Sequence, residues 1–324
     1  MTNISLTTLP IMDDVLDRSH NPNYTNCSSP CGEERSDNFR DTVVEVISIT
    51  GLVISIFGAV GNGIVIWLLG FRIKRNPFST YILNLAVADF GVLLSIMPHR
   101  RIFILKPEIS FISIPAMLVF VFLFLSLYSA SQFLLTAISI DRCVTVFFPL
   151  WHRFHRPPHL SPIVCALIWV VSVLLSAITC YLSGLHPYES KLEEFFQLIL
   201  NSVICLPIMT IATVSLFIKV CLKTRQRQRG RLLTIVLLTV LFFLLFAFPL
   251  NVTYMLAKLG YLPGYMSAIA LLSAGLNSGV NPFIYFLVGR QWKSRRWESL
   301  KMILQKVFKE EEDSAGETPG ESRV

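Results

Sequence analysis

Seven long apolar runs dominate this 324-residue chain, and they restrict its fold more than anything else in it. They cover residues 43–69, 78–98, 109–140, 160–183, 195–220, 232–257 and 265–288. About 20 apolar residues wound as a helix cross the hydrocarbon core of a bilayer. Backbone N–H and C=O groups find no water there, so a lone run must satisfy them internally, which a helix does. The expected fold class is therefore an all-α membrane protein, a seven-transmembrane helix bundle. With 53% hydrophobic and 15% charged residues, little remains for a soluble domain. The chain divides into an N-terminal tail (1–42), the membrane domain (43–289) and two C-terminal pieces (290–309 and 310–324). The runs share no clear repeat, which argues against a transporter built from inverted repeats.

Orientation follows from the placement of Lys and Arg, which accumulate on the cytoplasmic side. An odd number of spans puts the two tails on opposite sides. The first, third and fifth loops and the early C-terminal tail carry 19 of the 28 basic residues. The other side carries eight, among them Arg100, Arg101 and Lys106. The N-terminus is thus expected outside and the C-terminus in the cytoplasm. The net charge of +7 reads as topology and attraction to the inner leaflet. No nucleic-acid motif accompanies it, so no nucleic-acid partner is expected.

The N-terminal tail agrees with an outer location. Asn3, Asn23 and Asn26 each begin an Asn-X-Ser/Thr glycosylation sequon. Asn251 begins another, but it lies inside a span. Residues 1–20 hold no continuous apolar stretch of signal-peptide type, so the first span is expected to act as a signal-anchor. Cys27 and Cys31 lie on the side where oxidation is permitted. They could bridge each other, or one could reach Cys180 near the outer end of the fourth span. The His residues lack zinc-ligand spacing, so no metal site of that type is expected.

Three polar insertions break the apolar spans. Asp89 lies in the middle of the second, Asp141-Arg142-Cys143 closes the third, and Asn281-Pro282-Phe283-Ile284-Tyr285 closes the seventh. Ionisable groups inside a membrane are costly and are kept for pairing or function. Pro249 and Pro282 each remove a backbone donor and free a carbonyl, which suits a hinge in a helix. One buried acid, one inner-face Arg and Pro-broken helices together point to a membrane-spanning switch.

At this point the residues match a family. Gly61-Asn62, Leu85-Ala86-Val87-Ala88-Asp89, Asp141-Arg142-Cys143, Trp169, Pro207, Pro249 and Asn281-Pro282-x-x-Tyr285 occur in order, one set per span. The chain resembles a rhodopsin-like (class A) G-protein-coupled receptor over nearly its whole length. Trp67–Arg72, Arg75-Asn76-Pro77-Phe78, Phe148-Pro149-Leu150-Trp151, His155-Arg156-Pro157 and Tyr285-Phe286-Leu287-Val288-Gly289 look like the Mas-related receptors. The resemblance implies a receptor that binds an extracellular ligand and activates a heterotrimeric G protein, with Gq the class suggested, and performs no covalent chemistry.

Some residues depart from the wider class. No Cys lies between Arg100 and Ser126 or in 184–194, so the usual outer disulfide cannot form. Ala247 stands where most relatives carry a Trp switch, and Arg229 rather than an acid stands opposite Arg142. These departures resemble the Mas-related pattern. They also remove two restraints on the inactive packing, so signalling without ligand is expected.

The resemblance assigns roles. Arg142 pairs with Asp141 in the inactive state and meets the G-protein α-subunit in the active one; the alternative is that it only snorkels to the interface. Asp89, Ser131, Asn277 and Asn281 form a sodium site, an allosteric ion being the sole cofactor expected. The alternative is a hydrogen-bonded structural acid. Tyr285 turns toward Arg142 on activation or is simply core packing, and Pro249 and Pro282 are hinges or mere kinks.

The ligand is less defined. Phe124 stands about 27 Å up the helix from Arg142, at 1.5 Å per residue, where amine receptors carry an Asp. An amine ligand is therefore not expected. His99, Arg100 and Arg101 could dock an anion or carboxylate, whereas Glu189, Glu193 and Glu194 could attract a basic peptide. Each set also fits a solvated or lipid-facing surface, so both a peptide and a small molecule remain open.

On the inner side, residues 290–309 are expected to form an amphipathic helix on the membrane surface, with Trp297, Leu300, Ile303 and Leu304 on one face and cations on the other. Residues 310–324 read as disordered. Ser314, Thr318 and Ser322 are candidate phosphorylation points, and the C-terminal Glu321-Ser322-Arg323-Val324 fits a PDZ ligand. The partners expected are thus a G protein, arrestin, a PDZ-domain protein and membrane lipids. A channel would need ionisable groups along both halves of a path, and an intramembrane enzyme a nucleophile paired with a base. Neither pattern is apparent.

Overall fold

The computed structural model describes residues 31–73, 76–104, 114–157, 159–185, 203–216, 218–219, 253, 256 and 266–289. The chain falls into two units, Met1–Asp41 and Thr42–Val324. In the first, the described residues 31–41 are helical. All that follows concerns the second.

The described residues form helices: α1 (Cys31–Trp67), which ends in a π-helical turn (Leu68–Arg72), α2 (Pro77–Ile104), α3 (Ile114–Phe147), the short α4 (Pro149–Phe154) and α5 (Leu160–Leu185). They continue with α6 (Val203–Leu216) and α7 (Met266–Gly289). These helices carry spans one to five and seven, with α4 in the loop between spans three and four. Four stretches among the described residues are long and apolar enough to cross a bilayer: Thr42–Arg72, Pro77–Met97, Val119–Phe147 and Leu160–Leu182. Residues 253 and 256 of span six are helical.

The helices outrun the hydropathy that announced them. α3 continues past residue 140, so Asp141-Arg142 sits within the helix rather than at its end. α2 likewise continues past residue 98. Backbone hydrogen bonding propagates a helix into polar flanks once the apolar part has nucleated it. α2 starts at a defined point because Asn76 and Ser79 cap one another. The Ser79 backbone N–H donates to Asn76 Oδ1 at 2.7 Å, and the Asn76 N–H donates to Ser79 Oγ at 2.7 Å. Pro77 follows the cap, where a missing N–H costs nothing.

Two apolar clusters bracket a polar layer. The inner one includes Leu69, Phe78, Ile82, Leu85, Leu134, Leu135, Leu216 and Tyr285. The outer one joins Val92, Ile96, Leu125 and Tyr128 to Ala270 and Ala274. Between them lie Asp89, Ser131, Asn277, Ser278 and Asn281, all buried. The opposite faces of α1 and α5, with Val53, Phe57 and Val60 on one and Leu167, Val170 and Leu174 on the other, are exposed and apolar. In a bilayer that exposure meets lipid tails.

Candidate functional site

The polar layer is built on Asp89, a carboxylate with no solvent exposure. Ser131 of α3 donates to its Oδ1 at 2.7 Å, and Asn281 of α7 donates to its Oδ2 at 2.7 Å. Two further helices thus meet α2 on one acid. Asn277, expected in the same set, makes no such bond. It is buried, but its Nδ2 has no hydrogen-bond partner among the described residues. It lies one turn above Asn281 in the same buried layer. The ion pairs Arg142–Asp141 and Arg156–Asp141 lie elsewhere, at the inner end of α3.

The break in α7 is also settled locally. Pro282 has no N–H to offer the carbonyl one turn back, that of Ser278. Asn62 of α1 takes its place, donating from Nδ2 to the Ser278 oxygen at 3.1 Å and to Gly58 of its own helix at 3.0 Å. α1 and α7 approach closely enough for this because Gly58 faces Gly279. A Cβ at Gly58 would lie 2.8 Å from the Gly279 Cα. Tyr285, one turn further on, is buried, and its hydroxyl has no hydrogen-bond partner among the described residues.

At the inner end of α3, Arg142 is 4% exposed. Its guanidinium lies 3.8 Å from the centroid of the Phe78 ring, a cation–π contact. Its Nη2 is 3.6 Å from Asp141 Oδ2, an ion pair too long for a hydrogen bond. The closer partner of Asp141 is Arg156, whose Nη2 reaches Oδ1 at 2.8 Å. The ion pair of Asp141 with Arg142 is thus present, and the loop supplies a second and nearer cation. Arg156 also donates to Ser161 at 2.8 Å and meets His152 Nε2. Burial, and then the positive charge of Arg156, lower the His152 pKa from its ordinary value.

Span five is tied to the same end of α3. The Cys143 thiol donates to the Ala212 carbonyl at 3.3 Å. Lys219 donates to the Val146 carbonyl at 2.7 Å and lies 4.1 Å from the centroid of the Phe147 ring. Such a cation caps carbonyls that the end of a helix leaves open. On the outer side, Phe124 stacks on Tyr128 with centroids 5.7 Å apart. Trp169 of α5 donates to Asn84 of α2 at 3.1 Å. Cys180 is half-buried near the outer end of α5. Pro249, Ala247, Glu189, Glu193, Glu194, Asn3, Asn23, Asn26 and Cys27, the side chains of His99, Arg100, Arg101 and Cys31, and the surface helix of 290–309 lie outside the described residues.

These features stand in the order and on the helices that the resemblance requires. The family model of the seven-transmembrane receptors of the rhodopsin family matches residues 61–285. The chain belongs to that family, in its Mas-related branch. It is 37% identical over 265 residues to the rat (Rattus norvegicus) proto-oncogene Mas, covering 80% of this chain and 82% of that one. It is 35% identical over 312 residues to the Mas-related G-protein coupled receptor member D of Macaca fascicularis, covering 92% and 97%. The human member X1 (Homo sapiens) is 34% identical over 295 residues, covering 86% and 89%. This receptor is therefore a multi-pass protein of the plasma membrane, a G-protein-coupled receptor and not an enzyme. It has a G protein and an extracellular ligand as partners.

The residues that sequence reasoning missed are those that work in pairs across helices. Asn62 was legible only as part of a string. Arg156 and Lys219 were legible only as loop charges. Phe78 was legible only as the start of a span. Nothing in their spacing names a partner on another helix.

Proposed function

We propose that this receptor sits with its N-terminus outside and its C-terminus in the cytoplasm. An extracellular peptide or small molecule, not an amine of the catecholamine type, favours one of two helix packings. Movement about Pro249 and Pro282 then releases Arg142 to the C-terminus of a Gq-class α-subunit. The concentration of Lys and Arg on one side supports the orientation. The stacked Phe124 and Tyr128, with no acid beside them in the sequence, support the exclusion of amines. Asn3, Asn23 and Asn26 would then carry glycans, and residues 290–324 would meet lipid, arrestin and a PDZ domain.

The observation that carries this reading is the state of Arg142. A charge that is 4% exposed is expensive to hold at this depth, yet its ion pair to Asp141 is stretched to 3.6 Å. The Phe78 ring and this long ion pair are contacts that an outward movement of the helices can break, which suits a group that must be released.

The same reading gives Asp89 a sodium ion. Its donor set fits: a buried carboxylate, the Ser131 hydroxyl and the Asn281 amide are the hard oxygen donors such a cation takes. The ion would supply a positive charge beside the buried Asp89 carboxylate.

The test is ligand-free activation of Gq, Gi and Gs in cells, with wild type and Arg142→Ala compared at equal surface expression. A Gq signal lost in Arg142→Ala is expected. A basal signal confined to Gi or Gs would overturn the Gq assignment. Silence in every channel would overturn the loosely held switch.

A further inference from the structure

Asp141 has two oxygens and two arginines beside it, and they are not shared equally. Oδ1 accepts a hydrogen bond from Arg156 at 2.8 Å, inside the range of the strong charge-assisted bonds. Oδ2 stands 3.6 Å from Arg142 and accepts no hydrogen bond among the described residues. Arg156 itself is pinned: Ser161 at the start of α5 accepts from its Nη2 at 2.8 Å, and His152 of α4 abuts its Nη1. Both carboxylate and guanidinium are nearly buried, at 9% and 7% exposure, so water does little to weaken the bond between them. One negative charge thus serves two positive ones, and the loop holds the better grip. The two guanidiniums also repel one another, which disfavours a close approach of Arg142 to the same acid.

We infer that Arg156 is a positioning residue of the switch: by drawing Asp141 toward the loop, it keeps that acid from closing on Arg142, which stands 3.6 Å away, and so eases the release of Arg142 to a G protein. The inference rests on the reading of Arg142 as the coupling residue and goes beyond it. Without Arg156, Asp141 has one cation left and closes on Arg142. The receptor then becomes quieter. Without Asp141, Arg142 loses that ion pair, and the receptor becomes noisier. Arg156 therefore acts only through Asp141.

The experiment uses the full-length receptor in nanodiscs with a purified Gq heterotrimer and measures ligand-free nucleotide exchange. Asp141→Asn is expected to raise exchange, and Arg156→Gln to lower it, each by about fivefold, the lower end of coupling between linked sites. The double variant Asp141→Asn/Arg156→Gln is expected to match Asp141→Asn alone. A general loss of folding would not give this pattern, because damage to α4 or α5 would lower exchange in both backgrounds. Arg156→Lys keeps the charge but not the planar fork, and should fall between wild type and Arg156→Gln. If Arg156→Gln does not fold, Ser161→Ala loosens the same guanidinium and should lower exchange by a smaller factor. Higher exchange in Arg156→Gln, an equal drop in both backgrounds, or no change in any variant would overturn the inference. Exchange in Asp141→Asn/Arg142→Ala as high as in Asp141→Asn would instead overturn the reading of Arg142 itself.

Discussion

Asn62 and Ser278 meet across α1 and α7 at 3.1 Å, and their bond supplies the carbonyl that Pro282 leaves without an internal donor. Replacing Asn62 with Leu removes that donor and buries an open carbonyl. The expected loss is about 1–2 kcal/mol, in keeping with hydrogen bonds measured inside membrane proteins and with the cost of an unsatisfied polar group. Pro282→Ala restores an N–H to α7 and should make the loss of Asn62 smaller. Melting temperatures of wild type, both single variants and the double variant check this. Strict additivity would show that Asn62 does not act through the proline gap.

The same contact depends on a missing side chain. At Gly58 a Cβ would lie 2.8 Å from a backbone atom of Gly279, which cannot rotate away. Gly58→Ala must therefore push α1 from α7, at a cost of about 1–3 kcal/mol. At Gly63 the nearest atom is 3.8 Å away on the Phe90 side chain, an ordinary contact. Gly63→Ala should be neutral or should gain up to about 1 kcal/mol from helix propensity. Thermal unfolding of the two variants in one detergent distinguishes them, and equal melting temperatures would contradict the close-approach account.

Much of this was legible because a bilayer imposes simple rules on a sequence. Helix length, the odd number of spans and the cost of Asp89 in lipid need only composition and order along the chain. So do the gap at Pro282 and the closeness of Asp141 to Arg142. The answer to that gap, Asn62, lies some 220 positions earlier in sequence and depends on the rotation of α1 about its axis. Likewise, Arg156 becomes the partner of Asp141 only after α4 folds back under α3.

His152 gives the inner face a pH dependence whose sign can be worked out. Its pKa is lowered from the ordinary 6.5, first by burial and then by Arg156, with Arg142 adding to the effect and Asp141 opposing it. Below 6.5 the unfolded chain takes up a proton that the folded one still refuses. Stability therefore falls as pH drops through 6.5 toward the lowered value, and is fully present above 6.5. His152→Gln cannot be protonated and should flatten that part of the curve. Unfolding of both proteins between about pH 5 and pH 8 provides the check. Parallel curves would mean that His152 is as free to charge in the folded receptor as out of it.

Asp89 makes the strongest demand on the surroundings. Hydrogen bonds from Ser131 and Asn281, both at 2.7 Å, satisfy one lone pair on each oxygen but bring no positive charge. A bare carboxylate with no solvent exposure is costly in an apolar interior. A bound cation would remove that cost, and an ion that binds only the folded state stabilises it by RT ln(1 + [L]/Kd). Sodium at ten times its Kd would contribute about 1.4 kcal/mol on that relation. The purified receptor should thus melt at a higher temperature in sodium chloride than in choline chloride of equal ionic strength. Asp89→Asn, which keeps the shape but loses the charge and turns one acceptor into a donor, should melt at one temperature in both salts. Ser131→Ala should weaken the dependence on sodium without abolishing it, because the carboxylate remains. If wild type responds to the two salts alike, Asp89 is a structural acid held by hydrogen bonds such as those from Ser131 and Asn281. The sodium site would then be withdrawn.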